Sequence, residues 1–290
     1  MSTTMGNRMS SKKQSDDKTG RVYRNDYSSQ FTLIDCLDQN QMKLNDDQSQ
    51  KELLLVASKV PIPKGNVTHP DDTTCITIEN VLSVEECTKI IQRSEDVQFQ
   101  QALVNIGIGE ILDKDYRNSD RCIIDDMDFA SVLFERIRPY LPATVNSAGY
   151  DHWKLCGLNE RMRILRYSEE HFFAPHRDGC YMRNTEEMSF MTIMIYLNSN
   201  FEGGSTNLIS STTSSTSSNT PSLSNDTVEV VPKPGMVFVF DHTVKHEGAR
   251  VTHGVKYAIR TDIMYRAERE TERSENERYD CSKRSPEVIN

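Results

Sequence analysis

The sequence predicts a mainly β (α+β) fold, a sandwich or jelly roll (double-stranded β-helix) with a helical buttress on its N-terminal side. Three observations carry this. After residue 160 five β-rich runs follow one another, RMRILRY, MSFMTIMIYLN, TVEVVP, MVFVFD and KYAIRTDIMYR. The runs are separated by turn signals, notably Glu202-Gly203-Gly204 and Lys233-Pro234-Gly235, which supply the positive-φ and fixed-φ positions that tight turns need. The only convincing helical stripes lie upstream of them, so helices precede strands rather than alternate with them.

Taken in order, residues 1–73 are rich in Ser, Asp, Gln, Asn and Lys, with one apolar cluster at Leu53-Leu54-Leu55-Val56. Such a stretch buries too little apolar surface to offset an ordering entropy of about 1–2 kcal/mol per residue. It reads as a mostly disordered extension whose cluster forms a short docking element. A single folded domain is expected over 74–266, with a helical part at 74–160 and the jelly roll at 161–266. Within the former, CITIEN reads as a strand. Ser83-Val84-Glu85-Glu86 matches a capping box, and Cys87, Ile90 and Ile91 give the i, i+3, i+4 stripe of an amphipathic helix. A second helix is expected from Phe129 to Arg138, with Phe129, Val132, Leu133 and Ile137 on one face and Pro139 closing it. Between Ser210 and Ser222 lie 11 Ser or Thr in 13 residues, so about 210–226 reads as a loop inserted between strands. Residues 267–290 form a charged tail.

The 290 residues carry 34 Lys and Arg against 43 Asp and Glu, a net charge of −9. That sign repels a phosphate backbone, and no dense basic patch offsets it, so no nucleic-acid partner is expected. No run approaches the length of a membrane span, so no membrane partner is expected either. The seven cysteines are odd in number and scattered, without a CxxC pair, and the N-terminus MSTTMGNRMSSKKQSDDK lacks an apolar leader. Reduced thiols in a cytoplasmic protein follow. The pair Lys12-Lys13 is too short to argue for nuclear import.

The chemistry concentrates in a few residues. His176 and Asp178 are two apart, and on an extended chain that spacing puts imidazole and carboxylate on the same side. With one distant histidine they become a facial triad, which holds Fe(II) on one face and leaves three positions for a chelating substrate and dioxygen. His246 lies 68 residues past Asp178, after the MVFVFD strand. Lys256 follows by ten residues, at the start of the next strand, where a cation can hold the far carboxylate of a chelating dicarboxylate. Arg260 is four residues on and shares that strand face. His242, four before His246, has no cysteine nearby and a strand rather than a helix before it, so a zinc site is not expected there. His69, His152 and His171 have no evident metal-ligand partner. Cys180 is near enough to the triad to be oxidation-prone, without being a ligand.

The ordered set RILRY, HRD, MIYLN, FEGGST, PKPGMVFVFDH, HEG and KYAIRTDIMY over Arg163–Arg266 resembles the Fe(II)/2-oxoglutarate-dependent dioxygenases, in the prolyl 4-hydroxylase-like branch. VLSVEECTKII and YRNSDR resemble the branch's N-terminal portion. The resemblance implies that His176, Asp178 and His246 ligate iron. Lys256 then corresponds to the residue that grips the far carboxylate of 2-oxoglutarate, with Tyr167 and Tyr196 lining the cosubstrate pocket. Thr192, Met194 and Tyr196 share one strand face, which agrees with the last assignment. Arg260 offers a second cation, so the choice between it and Lys256 stays open. Arg163, on the inward face with Leu165 and Tyr167, and Arg121, in a loop with Arg117-Asn118 at the mouth, are the substrate-contact candidates.

The resemblance further implies hydroxylation of an unactivated C–H, with release of succinate and carbon dioxide. The expected cofactors are Fe(II), 2-oxoglutarate and L-ascorbate; the expected partners are O2, 2-oxoglutarate and a protein or peptide substrate hydroxylated on proline. The alternatives are a small molecule or free amino acid as substrate, and a non-catalytic jelly-roll module that only binds metal or ligand.

Overall fold

The computed structural model describes residues 32–38, 54–105, 109–147, 150–210 and 227–267. The Ser/Thr-rich insertion from residue 211 and the charged tail from residue 268 lie outside the described residues, as do 1–31 and 39–53.

Two antiparallel sheets face one another. The larger runs in the order Val56–Lys59, Cys75–Glu79, Val237–Asp241, Glu187–Tyr196, Lys256–Ala267, Arg161–Tyr167, Asp120–Asp125 and Gln100–Gln101. The smaller runs Thr227–Val230, Thr206–Ile209, His246–Gly248, Phe172–His176 and Arg117–Asn118. All the main runs read from the sequence after residue 160 are strands. Glu187–Tyr196 and Val237–Asp241 read as nearly continuous apolar runs because both faces of the larger sheet are covered there.

Period-2 alternation decides what each face does. Ile193, Ile195, Val237, Val239, Ile259, Ile263, Met162 and Ile164 point to one side, into the main core with helices α1 (Val84–Glu95) and α2 (Met127–Ile137). Their neighbours Thr192, Met194, Arg163, Leu165, Tyr167, Lys256, Arg260 and Asp262 point to the other side, into the space between the sheets. Each fully buried aliphatic side chain contributes about 1.5–3 kcal/mol, so the helix face anchors the sheet while the opposite face is free to carry polar groups.

The capping box forms as the sequence predicts. Ser83 Oγ accepts from Glu86 N at 3.1 Å, and Glu86 Oε2 accepts from Ser83 N at 2.8 Å. The same carboxylate takes both arms of the buried Arg136 of α2, at 2.9 and 3.0 Å, and also the backbone N of Asp38 at 3.1 Å. One side chain therefore starts α1, fixes α2 and anchors the N-terminal segment. Replacing Glu86 by alanine leaves Arg136 a buried, uncompensated cation, and is expected to cost about 3–5 kcal/mol in urea unfolding. The pair replacement Glu86→Leu with Arg136→Met is expected to recover most of that loss; a single-variant cost below about 1 kcal/mol would show the pair to be incidental.

Among the described residues between 74 and 160, only α1, α2 and a single 3-10 turn at Arg138–Tyr140 are helical; strands, including Asp120–Asp125 and Tyr150–Leu158, and their connections make up the remainder. The second helix begins two residues earlier than its apolar stripe, because Asp126 caps it through Phe129 N at 2.8 Å. Two segments of the polar N-terminal stretch belong to the fold. Leu33, Cys36 and Leu37 are buried, with the backbone N of Leu33 and Ile34 held by Asp126 Oδ2 at 2.6 and 3.1 Å. Val56–Lys59 adds an edge strand to Cys75–Glu79. The docking cluster expected at Leu53–Val56 is realised in part by this strand, although Leu54 stays 78% exposed.

Candidate active site

The strands Phe172–His176 and His246–Gly248 are paired so that His176 and His246 are directly opposite, and the chain leaving the first strand brings Asp178 back between them. His176 Nε2 lies 3.8 Å from Asp178 Oδ1, and His246 Nε2 lies 3.8 Å from Asp178 Oδ2. A donor atom from each lies within 4.8 Å of the others, the one such group of three among the described residues.

The local hydrogen bonds fix the tautomers. His176 Nδ1 faces Ala174 O at 2.8 Å and His246 Nδ1 faces Val244 O at 3.0 Å. A carbonyl only accepts, so each Nδ1 carries the proton and each Nε2 lone pair points at the centre. The electrostatics agree. Burial, with His246 beside it, pushes His176 down to about 3, and burial lowers His246 also. Burial alone would raise Asp178, but Arg260, the two histidines and the Thr192 hydroxyl outweigh it and hold the carboxyl well below its usual range. All three side chains are thus in the protonation state that a cation requires.

The triad opens on a cavity of about 940 Å³. Lys256 stands in it, 3% exposed, with Nζ donating to Gly204 O at 2.6 Å and lying 5.4 and 5.3 Å from the rings of Tyr167 and Tyr196. No carboxylate pairs with it among the described residues, and burial pushes its ammonium down to about 7. Gly204 can offer that carbonyl because it turns at φ +66, where a Cβ would lie 2.9 Å from the Phe201 ring. Tyr196 is fully buried and its hydroxyl donates to Thr206 Oγ1 at 2.7 Å. An unpaired buried cation beside two phenols fits one carboxylate of a small ligand, and a His-His-Asp face with its open side on the same cavity fits Fe(II).

Arg260 is on the same strand face as Lys256 but is already engaged. Its Nη2 lies 3.1 Å from Asp178 Oδ1 and 3.3 Å from Asp262 Oδ1. Of the two cations left open by the sequence, Lys256 is therefore the one with an unused charge. Arg163 Nη1 is 3.4 Å from Asp262 Oδ2, and Arg121 Nη2 is 3.2 Å from Glu110 Oε1; both line the cavity. His242 is buried behind the triad rather than in it, with Nε2 3.8 Å from Asp262 Oδ1, the carboxylate that also meets Arg260, and Cys180 is exposed at the cavity edge. His253 lies on the surface against Glu169 at 3.0 Å.

Three contributors escape a reading by motif. Thr192 Oγ1 donates to Asp178 Oδ2 at 2.6 Å; its place on the Tyr196 face is the only signal. Asp262, two residues past Arg260 on the same face, balances Arg163 and Arg260. Asn66 is 0% exposed; its Nδ2 donates to Ile209 O and Lys245 O at 2.8 and 2.7 Å, while its own carbonyl accepts from Arg177 Nη2 at 2.8 Å. It ties the chain after His176 to the chain before His246, from within the polar N-terminal stretch.

Residues 162–261 match the 2OG-Fe(II) oxygenase superfamily. No curated protein sequence matches this chain. Among solved structures, the chain is similar to a prolyl-4-hydroxylase of Pseudomonas putida (14% identity over 66% of this chain and 92% of that one, TM-score 0.42). It is also similar to a Trichoplax adhaerens prolyl hydroxylase in complex with a hypoxia inducible factor oxygen degradation domain peptide fragment (16% identity, 72% and 90% coverage, TM-score 0.47). A third is the viral collagen prolyl hydroxylase of Paramecium Bursaria Chlorella virus-1 in its 2OG complex (19% identity, 66% and 95% coverage, TM-score 0.39). The match to the 2OG-Fe(II) oxygenase superfamily thus falls on residues 162–261, the jelly-roll core that carries the triad and Lys256, and the protein is a 2-oxoglutarate-dependent dioxygenase.

Proposed function

We propose that the protein hydroxylates an unactivated C–H of a prolyl residue in a protein or peptide. His176, Asp178 and His246 would hold Fe(II), and Lys256 with Tyr196 and Tyr167 would hold 2-oxoglutarate. The observation that carries the cofactor assignment is the pairing, in one cavity, of a deprotonated His-His-Asp face with the unpaired ammonium of Lys256. The prolyl assignment follows the resemblance of the HRD, HEG and KYAIRTD motifs and their spacing.

When bound, the iron and cosubstrate supply the oxidising chemistry, 2-oxoglutarate leaving as succinate and carbon dioxide, with L-ascorbate keeping the metal reduced. The protein's own residues do the rest. The Ala174 and Val244 carbonyls keep the protons on Nδ1 of both histidines, so neither ring turns. Thr192 and Arg260 orient the Asp178 carboxylate. Lys256 fixes one end of the cosubstrate, and Arg163 and Arg121 contact the prime substrate at the opposite wall. The enclosed position of Lys256 and Tyr196 excludes water from the cosubstrate end.

Anaerobic titration of Fe(II) and 2-oxoglutarate is expected to give the visible charge-transfer band of the chelate, lost in His176→Ala and weakened in Lys256→Ala. Absence of the band in wild-type protein at saturating iron refutes the cofactor assignment. For the substrate, a proline-containing peptide panel is expected to yield a product heavier by one oxygen atom; a small-molecule panel giving the only such product would replace the prolyl assignment.

A further inference from the structure

The chain is acidic overall, with net charge −9, yet the cavity wall that faces the triad collects Arg117, Arg121, Arg163 and Arg260. The strand pairing forces them together. Arg163 and Arg260 are direct cross-strand partners, and Arg121 is opposite Leu165, two residues from Arg163. Like charges placed opposite one another destabilise a sheet. Burial, and then Arg260, lower Arg163 to about 10; burial lowers Arg117 as well.

The carboxylates present do not match this charge. Asp262 serves both Arg163 and Arg260, at 3.4 and 3.3 Å, Arg260 also shares Asp178 with the triad at 3.1 Å, and Arg121 has Glu110 at 3.2 Å. Arg117 has no carboxylate within ion-pair distance among the described residues. Its Nε donates to Ser119 Oγ at 3.2 Å, and its guanidinium lies 4.6 Å from the centre of the Phe173 ring. Phe173 in turn stacks on His176, ring centres 3.6 Å apart. The stack Arg117–Phe173–His176 therefore holds a planar cation one aromatic ring from the triad.

This charge is separate from the one at Lys256. Lys256 and Arg260 are four residues apart along one strand, roughly 13 Å. A five-carbon dicarboxylate gripped by Lys256 and chelated at the triad through its oxo group and one carboxylate oxygen keeps a single oxygen, the second of that carboxylate, to offer the arginine wall, which leaves most of the wall's charge unmatched.

We propose that this wall is an oxyanion subsite: the prime substrate carries a carboxylate or a phosphate ester, held by Arg117 and Arg163 with Arg121 at the rim, while the C–H to be oxidised lies over the triad. The inference rests on the proposed function, since that reading supplies the reacting centre. Arginine suits the task because its fork pairs bidentately with either anion and stays charged when buried.

The test uses the full chain and blocked peptides with a single proline, each carrying Glu, phosphoserine or Gln at varied distances from it, together with inorganic pyrophosphate, in calorimetric titrations with and without Mn(II) and 2-oxoglutarate. At least one Glu or phosphoserine peptide is expected to bind more than about ten-fold tighter than its Gln counterpart, the scale of a charge-assisted pair. Arg117→Gln and Arg163→Gln are expected to reduce that preference to about three-fold or less, with Arg117→Lys retaining part of it. The ranking of Glu against phosphoserine tells a carboxylate substrate from a phosphorylated one. Equal affinity for neutral and anionic probes, no binding by any probe, or a preference that survives both Gln variants overturns the proposal. The Fe(II)–2-oxoglutarate band on the same samples reports the cofactor site separately: its absence from wild-type protein refutes the functional reading, while titrations without metal still decide the arginine wall.

Discussion

Replacing Asp178 by alanine is expected to abolish metal binding and turnover together, and to lower the stability of the ligand-free protein at neutral pH. The first effect follows from geometry. Asp178 is the only carboxylate of the triad and the piece that both Nε2 atoms face, at 3.8 Å each. Two neutral imidazoles remain without it, and they neither complete the face nor offset the cation's charge. Loss of an orienting neighbour alone costs a metal site 10–100-fold, so loss of a ligand should exceed about 100-fold. The second effect follows from linkage. The folded-state pKa of Asp178 lies below its ordinary value, so its stabilisation is present above the ordinary carboxylate range and is lost as pH falls towards the folded value. The variant should therefore unfold more easily than wild type at pH 7, by about 1–3 kcal/mol, with the gap closing on acidification. Asp178→Asn keeps the shape and an acceptor for Thr192 but not the charge, and should lose metal while losing less stability than alanine. Calorimetry with Fe(II) under argon and urea unfolding at two pH values read these outcomes. Undiminished iron affinity in either variant would remove Asp178 from the ligand set.

Much of the site can be read in the sequence because its parts sit on regular strands. Lys256, Arg260 and Asp262 share a face by period 2 alone, and the strand Arg161–Tyr167 needs only its alternation to place Arg163 and Tyr167 inward. The capping box at Ser83–Glu86 is equally local. What sequence does not disclose is pairing across distance. Nothing local marks Gln100–Gln101 or Arg117–Asn118 as strands; each exists because a long neighbour offers a ladder. Leu33–Leu37 and Asn66 lie in a composition that argues for disorder, and are ordered by partners 93 and 179 residues away, Asp126 and Lys245. The relation between Lys256 and Arg260 likewise depends on the position of Asp178, which no local pattern gives. Both cations point into the cavity, and only the third partner shows that one is spent on a carboxylate and the other is not.

That unspent charge sets the second large expectation: Lys256→Met should stabilise the ligand-free protein while disabling it. Burial pushes the Lys256 ammonium down to about 7, against an ordinary value of 10.5. Between those values the unfolded chain binds more protons than the folded one, so wild-type stability rises with pH across that window, and below pH 7 the full cost of burying the charge is felt. At about 1.4 kcal/mol per unit, the penalty at neutral pH is on the order of several kcal/mol. Methionine removes it but strands the Gly204 carbonyl, which loses its 2.6 Å donor at a cost of about 1–3 kcal/mol. A net gain of a few kcal/mol at pH 7 should remain, shrinking as pH rises and turning into a net loss of about 1–3 kcal/mol as pH approaches the ordinary pKa of lysine, where only the stranded carbonyl still counts. The charge is retained because a carboxylate delivered to Nζ restores the ammonium. Binding of 2-oxoglutarate must then take up protons above pH 7, and wild-type affinity should fall by up to about ten-fold per pH unit there. The methionine variant should bind more than about 30-fold more weakly, from the 2–5 kcal/mol of a truncated buried pair, and its residual affinity should show no such slope. Thermal unfolding from pH 6 to 10, with calorimetric titration of 2-oxoglutarate in two buffers of different ionisation enthalpy, measures both halves. A variant that is destabilised at pH 7 and binds 2-oxoglutarate with wild-type affinity would mean that the lysine is neither strained nor used, and the cosubstrate end of the cavity would have to be sought elsewhere.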